Sequence, residues 1–245
     1  MKPSGLEALS VLRYPGRGII LGSSPSGSSS AAAYFITGRS ASSQARKMER
    51  EGRTIWTRPL NPQALKAGQA ELLIYPAAIA EAGLAVSNGR QTSDIAGRMT
   101  SARSPWAALS SALKDWDFEP DSPIFTPRIS GCFFPNGRAA LSIIRRAADG
   151  TSHRDFFEVP DRPGRGQFIA TYRGGDKDPI LAWEGDPREV SLEQSSAAEL
   201  AAAVYDRLAP QAAGPDYRVA CAAIFVRRNA PQDVSFHIIN RRERT

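Results

Sequence analysis

Short apolar runs broken by polar or glycine-rich stretches recur along the whole chain. Ile19-Ile20-Leu21 and Tyr34-Phe35-Ile36 flank a Ser/Gly/Pro segment, Ser23 to Ser30, and predict a hairpin with a long connection. Thr54-Ile55-Trp56 and Leu72 to Tyr75 predict further strands, the second stopped by Pro76 because proline cannot donate to a ladder. Val86-Ser87 runs into Asn88-Gly89, a strong turn signal. Pro105 to Trp116 places Trp106, Leu109 and Leu113 at helical spacing. Phe118 to Pro127 is proline-bounded and extended. Ile129 to Phe134 and Leu141 to Ile144 return to strand character, and Phe168 to Tyr172 with Ile180 to Trp183 flank Gly174-Gly175 as a second hairpin. Leu192 to Leu208 holds an Ala-rich helix with Ser195 or Ser196 as N-cap. Val219 to Val226 and Val234 to Ile239 close the pattern, with Val234, Phe236 and Ile238 on one face and His237 outward.

Strands that neighbour one another in sequence predict an antiparallel α+β domain and argue against repeated βαβ units. Gly16-Arg17-Gly18 is too short for a dinucleotide fingerprint, and no helix is predicted to follow it. A chain of 245 residues fits one domain over 1–245. Its 42% apolar and 23% charged residues are ordinary for a globular protein. A run of about 18 apolar residues, the minimum for a membrane helix, does not occur. The first ten residues lack the apolar core of a secretory signal, and Cys132 and Cys221 make neither a disulfide framework nor a metal set, so a cytoplasmic protein is expected.

The net charge of +6 favours an anionic ligand, and a merely solvated basic surface accounts for it equally. The arginines are dispersed and not interleaved with aromatics, which argues against a nucleic-acid partner. His153 and His237 have no metal-ligand spacing around them. No G-x-S-x-G nucleophile elbow is present.

Five segments carry a resemblance. They are Tyr14 to Gly22 (YPGRGIILG) with Tyr34 to Arg46 (YFITGRSASSQAR), Glu71 to Ile79 (ELLIYPAAI), Val86 to Asp94 (VSNGRQTSD), and Phe118 to Gly131 (FEPDSPIFTPRISG). Together, over residues 14–131, they resemble the archaeal-type IMP cyclohydrolase family and its bacterial relatives; the strand-rich remainder, 132–245, matches more loosely. The resemblance implies a four-layer αββα sandwich, Ntn-hydrolase-like but without autoproteolytic processing. It also implies a homo-oligomer that needs no cofactor or metal and closes the purine ring of a phosphorylated precursor, 5-formamidoimidazole-4-carboxamide ribotide, to give IMP. One residue departs from it: Arg90 stands where an acidic residue is expected after Asn-Gly. That reversal opens a second reading, the same cyclodehydration on a non-purine substrate. A non-catalytic nucleotide- or nucleic-acid-binding module is a third.

Ring closure needs a base for the amide nitrogen, a cation or donor for the developing oxyanion, and a basic cradle for phosphate. By resemblance the catalytic residues are Arg39, Tyr75 and Glu119, and the substrate-binding residues are Ser40, Arg46, Asn88, Gly89, Asp121 and Arg128. Each also has a bland alternative. Arg39 reads equally as a solvated loop residue, Tyr75 as a half-buried packing residue, and Asn88-Gly89 as a turn. Asp121 reads as a turn cap, and Glu119 with Arg128 as an ion pair that only fixes the loop. Nearby arginines are expected to lower the Glu119 pKa and weaken it as a base. Gly131-Cys132 has the form of a self-processing junction, but a small buried cysteine is the simpler expectation.

Overall fold

A computed structural model describes residues 5–61, 73–210 and 214–243. Among these residues thirteen strands form two antiparallel sheets. The first has six strands in the order β11 (Arg188–Ser191), β10 (Arg165–Ala170), β1 (Arg17–Ser23), β2 (Ser29–Thr37), β12 (Arg218–Arg227) and β13 (Ala230–Asn240). The second runs β3 (Arg46–Glu51), β4 (Thr54–Pro59), β5 (Tyr75–Ile79), β6 (Leu84–Ser87), β7 (Arg128–Phe133), β8 (Ala139–Arg146) and β9 (Ser152–Val159). Among the described residues, two short helices, α1 (Glu7–Ser10) and α2 (Ala41–Gln44), precede three longer ones: α3 (Gln91–Met99), α4 (Pro105–Ala112) and α5 (Ala197–Arg207). No described helix is long and apolar enough to cross a membrane.

Side-chain alternation explains why the two sheets meet. On β7 and β8, Ile129, Phe133, Leu141 and Ile143 join the large core shared with β1 and β2. Their neighbours Cys132, Ala140 and Ile144 join a separate apolar layer under α3 and α4, with Ile95, Leu109 and Leu113. Both faces of these strands are therefore covered, so they read as continuous apolar runs and their period is hidden. Gly131 marks the close approach of the sheets, since a Cβ there would lie 2.8 Å from Leu21 Cδ1 and 2.9 Å from Leu141 Cδ2. α5 covers the outer face of β12, β13 and β2 through Leu200, Ala201 and Val204. The order across the molecule is helix, sheet, sheet, helix.

Several local expectations shift. β5 starts at Tyr75 and carries Pro76 as its second residue. The missing donor is accommodated by a register shift between Ile55 and Trp56 on β4. Leu72, where that strand was expected to begin, lies outside the described residues. Ile180 to Trp183 is not a strand, since only a single bridge joins Tyr172 to Ala182, and β10 pairs instead with β11. The helix at Pro105 ends at Ala112, four residues short of Trp116. The second predicted cap is Ser196, whose side chain accepts from Glu199 N. Helix α3, directly after the Asn-Gly turn, and strands β3 and β9 carry too many charged or polar residues to show an apolar period.

Candidate active site

The site forms where β1 enters the first sheet and the 118–127 loop crosses in front of it. Arg17, the first residue of β1, donates from Nη2 to Glu119 Oε1 at 2.6 Å. Both side chains are largely removed from solvent, 13% and 6% exposed. Asn88 Nδ2 donates to the same Oε1 at 3.1 Å and to Pro127 O at 2.9 Å. Asn88 Oδ1 accepts from Ile129 N at 2.8 Å and from Gln91 Nε2 at 3.3 Å. Both side-chain polar atoms of Asn88 are thus engaged by protein. It holds the carboxylate and the loop in place. Gly89 beside it permits a close approach: a Cβ there would stand 2.4 Å from Gln91 Oε1 and 2.6 Å from Arg128 Nη1.

Arg128 is not the ion-pair partner of Glu119. It donates from Nε to Asp117 O at 2.8 Å and from Nη1 to Gln91 Oε1 at 3.3 Å, with its guanidinium 4.9 Å from the Trp116 ring centroid. Burial raises the Glu119 carboxyl above its ordinary range, and Arg17 and Arg128 pull it back only in part. The expectation of a lowered pKa is therefore reversed, because desolvation outweighs the two cations. Burial alone would also lower Arg17, but Glu119 and the phenols of Tyr172, Tyr75 and Tyr34 hold it firmly cationic. The pair is charged on the arginine side and titratable on the carboxyl side. Arg17 Nε is buried with no hydrogen-bond partner.

Two adjoining cavities share Arg17, Ser43 and Asp121 in their walls. The smaller, about 160 Å³, adds Ser42, Arg46, Leu73 and Glu119. The larger, about 410 Å³, adds Tyr14, Arg39, Ser40, Ile124, Thr126 and Tyr172. Arg46 is 5% exposed and donates from Nε to Ser43 O at 2.9 Å. No described carboxylate lies within ion-pair reach of Arg46, whereas Arg39 pairs at 2.8 Å with the exposed Asp178 and donates at 3.1 Å to Asp176 O. Ser40 and Ser43 spend their hydroxyls on a capping box that starts α2. Asp121 accepts from Thr126 N at 2.6 Å and Thr126 Oγ1 at 2.5 Å, which closes the 121–126 turn. Phe125, at φ 49°, takes a left-handed conformation inside that turn.

Tyr75 opens β5. Its hydroxyl is 2.9 Å from that of Tyr34, across the sheet interface, and both rings are fully buried. The structure thus brings Glu119, Asn88, Gly89 and Arg128 into one cluster and places Arg39, Ser40, Arg46 and Asp121 on the cavity walls, while Tyr75 is not among the residues lining either cavity. Arg90 is exposed at the start of α3 and is not among the residues lining either cavity. Arg17, Tyr34, Gln91 and Tyr172 are the site residues that sequence patterns did not single out. Arg17 stood inside the resembling YPGRGIILG block, which was the one available signal.

A search of curated proteins finds no match. The family model described as IMP cyclohydrolase-like protein matches residues 14–230, which carries the similarity past Gly131 through the strand-rich remainder. A match over that span, with the buried Arg17–Glu119 pair inside it, settles the affiliation: the chain belongs to the IMP cyclohydrolase-like family.

Proposed function

We propose that the protein closes the purine ring, converting 5-formamidoimidazole-4-carboxamide ribotide to IMP with loss of water. The observation that carries this reading is Glu119, a buried carboxyl of raised pKa held by Arg17 and Asn88 at a cavity wall. Arg17 and Asn88 both donate to Oε1, so Oε2 is the oxygen for proton transfer. Glu119 takes a proton from the carboxamide nitrogen as that nitrogen bonds to the formyl carbon. Arg17, whose Nε lacks a protein acceptor, stabilises the negative charge that gathers on the formyl oxygen. That oxygen leaves as water. One of its protons comes from the amide nitrogen through Glu119, and the other comes from the formamide nitrogen.

Holding the two reacting groups side by side supplies much of the acceleration. Arg46, a buried cation with no described counter-charge, is assigned to the phosphate, together with Ser42. Arg39 contributes at the rim of the larger cavity. The layer order supports the Ntn-hydrolase-like sandwich that the family implies. Arg90 lies outside the residues lining the cavities, so the charge reversal gives little support to a non-purine substrate. The test is turnover of the ribotide by purified protein, with IMP followed by absorbance and chromatography against the uncatalysed rate. No IMP above background from folded protein would sink the purine reading.

A further inference from the structure

Tyr172 is a cavity-wall residue whose hydroxyl proton has only one place to go. Thr126 Oγ1 lies 2.5 Å from Asp121 Oδ2 and 2.7 Å from Tyr172 Oη. A threonine hydroxyl has one proton, and a carboxylate oxygen can only accept. The Thr126 proton therefore points to Asp121, and the Tyr172 proton must point to Thr126. Asp121 is itself held by the Thr126 N–H at 2.6 Å, so the direction of the chain is locked. The ring is locked as well: it stacks on Tyr14 with centroids 5.5 Å apart and is 3% exposed. Burial pushes the phenol up to about 12, so it keeps its proton at neutral pH.

No described protein group donates to Tyr172 Oη. What it presents to the larger cavity, beside Arg17, is a pair of lone pairs that can take only a ligand N–H or O–H. The primary amide of the proposed substrate carries two N–H groups. Glu119 removes one, and the other survives as N1–H of the product. We propose that Tyr172 is a fixed hydrogen-bond acceptor for that retained N–H and so selects a 6-oxo ring protonated at N1. This assignment rests on the purine reading. A ring such as that of AMP, whose N1 is an unprotonated acceptor, would set lone pair against lone pair. A site built to bond a ligand N–H rejects an analogue that lacks it.

The experiment is calorimetric titration of IMP and of AMP into wild type, Tyr172→Phe and Thr126→Val, with ribotide turnover measured alongside. Wild type is expected to prefer IMP by roughly tenfold, the size of one net hydrogen bond with its mismatch cost. Tyr172→Phe should weaken IMP and, with the opposed lone pair gone, leave AMP no weaker or somewhat tighter, which collapses the ratio. Thr126→Val removes the acceptor that captures the Tyr172 proton; the phenol can then donate to N1 of AMP, and AMP should tighten. That gain in a variant with an intact ring is something a purely structural role would not produce. An unchanged IMP-to-AMP ratio in both variants, in a protein that still makes IMP, overturns the assignment of Tyr172 alone. A wild type that neither binds IMP nor forms it overturns the purine reading and this proposal with it.

Discussion

Arg17 and Glu119 stand 102 residues apart in sequence and 2.6 Å apart in space. Their contact joins the first strand of one sheet to the loop that enters the other. Because both are buried, neither can be removed without stranding its partner. Glu119→Gln keeps the shape and one acceptor oxygen for Arg17 but removes the base. We predict a fall in kcat of about 10²- to 10⁴-fold, with KM little changed. Steady-state kinetics on the ribotide reads it, and retention of full kcat would remove Glu119 from the chemistry.

The pH dependence follows from the direction of the Glu119 shift. Its folded pKa is raised above the ordinary 4.5, chiefly by burial. The folded state therefore binds the proton more tightly than the unfolded chain does. The resulting stabilisation is complete below 4.5 and is lost as pH rises through the folded value. Measured against Glu119→Gln, which does not titrate, wild-type stability should decline over that window. The ascending limb of the rate should fall in the same range. Arg17 is the largest influence lowering this pKa, so Arg17→Met should move the limb to higher pH. A limb that stays in place would detach the ionisation from Glu119.

Tyr34 and Tyr75 share one hydrogen bond across the sheet interface, 2.9 Å long and fully buried. Changing either to Phe leaves the other hydroxyl in an apolar core without its partner, at a cost of about 1–3 kcal/mol. The double variant strands nothing. It should be less destabilised than the sum of the singles, with a coupling of about 1 kcal/mol in denaturant unfolding. Simple additivity would show that the two hydroxyls do not depend on each other.

Much of the frame was legible because most of the short apolar runs are strands, and most of these pair with a neighbour in sequence. The Ser196 cap and the Val234, Phe236, Ile238 face follow from local chemistry alone. Glu119, Arg46 and Asp121 came from matching blocks, and the structure sets them on the cavity walls. Arg17 was missed because an arginine at a strand entrance reads as solvated; only the packing of two sheets shows that residue 119 covers it. The alternative of an Arg128–Glu119 pair does not hold. Nearness in sequence suggested it, but Trp116 and the Asp117 carbonyl draw Arg128 away. Tyr172 gave no signal, since its meaning lies in a proton direction set by Thr126 and Asp121.

Arg46 offers a test in which function and stability should part. Its side chain is buried, its Nε is spent on the Ser43 carbonyl, and no described carboxylate neutralises it. Such a charge costs folding free energy that a ligand phosphate would recover on binding. Arg46→Gln should therefore raise KM for the ribotide by roughly 10- to 100-fold, the worth of a charge-assisted hydrogen bond. The same change should leave thermal stability unchanged or increase it, because a desolvated charge is removed. The 5′-dephosphorylated nucleoside has no phosphate for Arg46 to hold, so its KM should not respond. Equal losses for ribotide and nucleoside would place Arg46 against the reacting ring. A large drop in Tm would make it a structural residue whose counter-charge lies elsewhere in the chain.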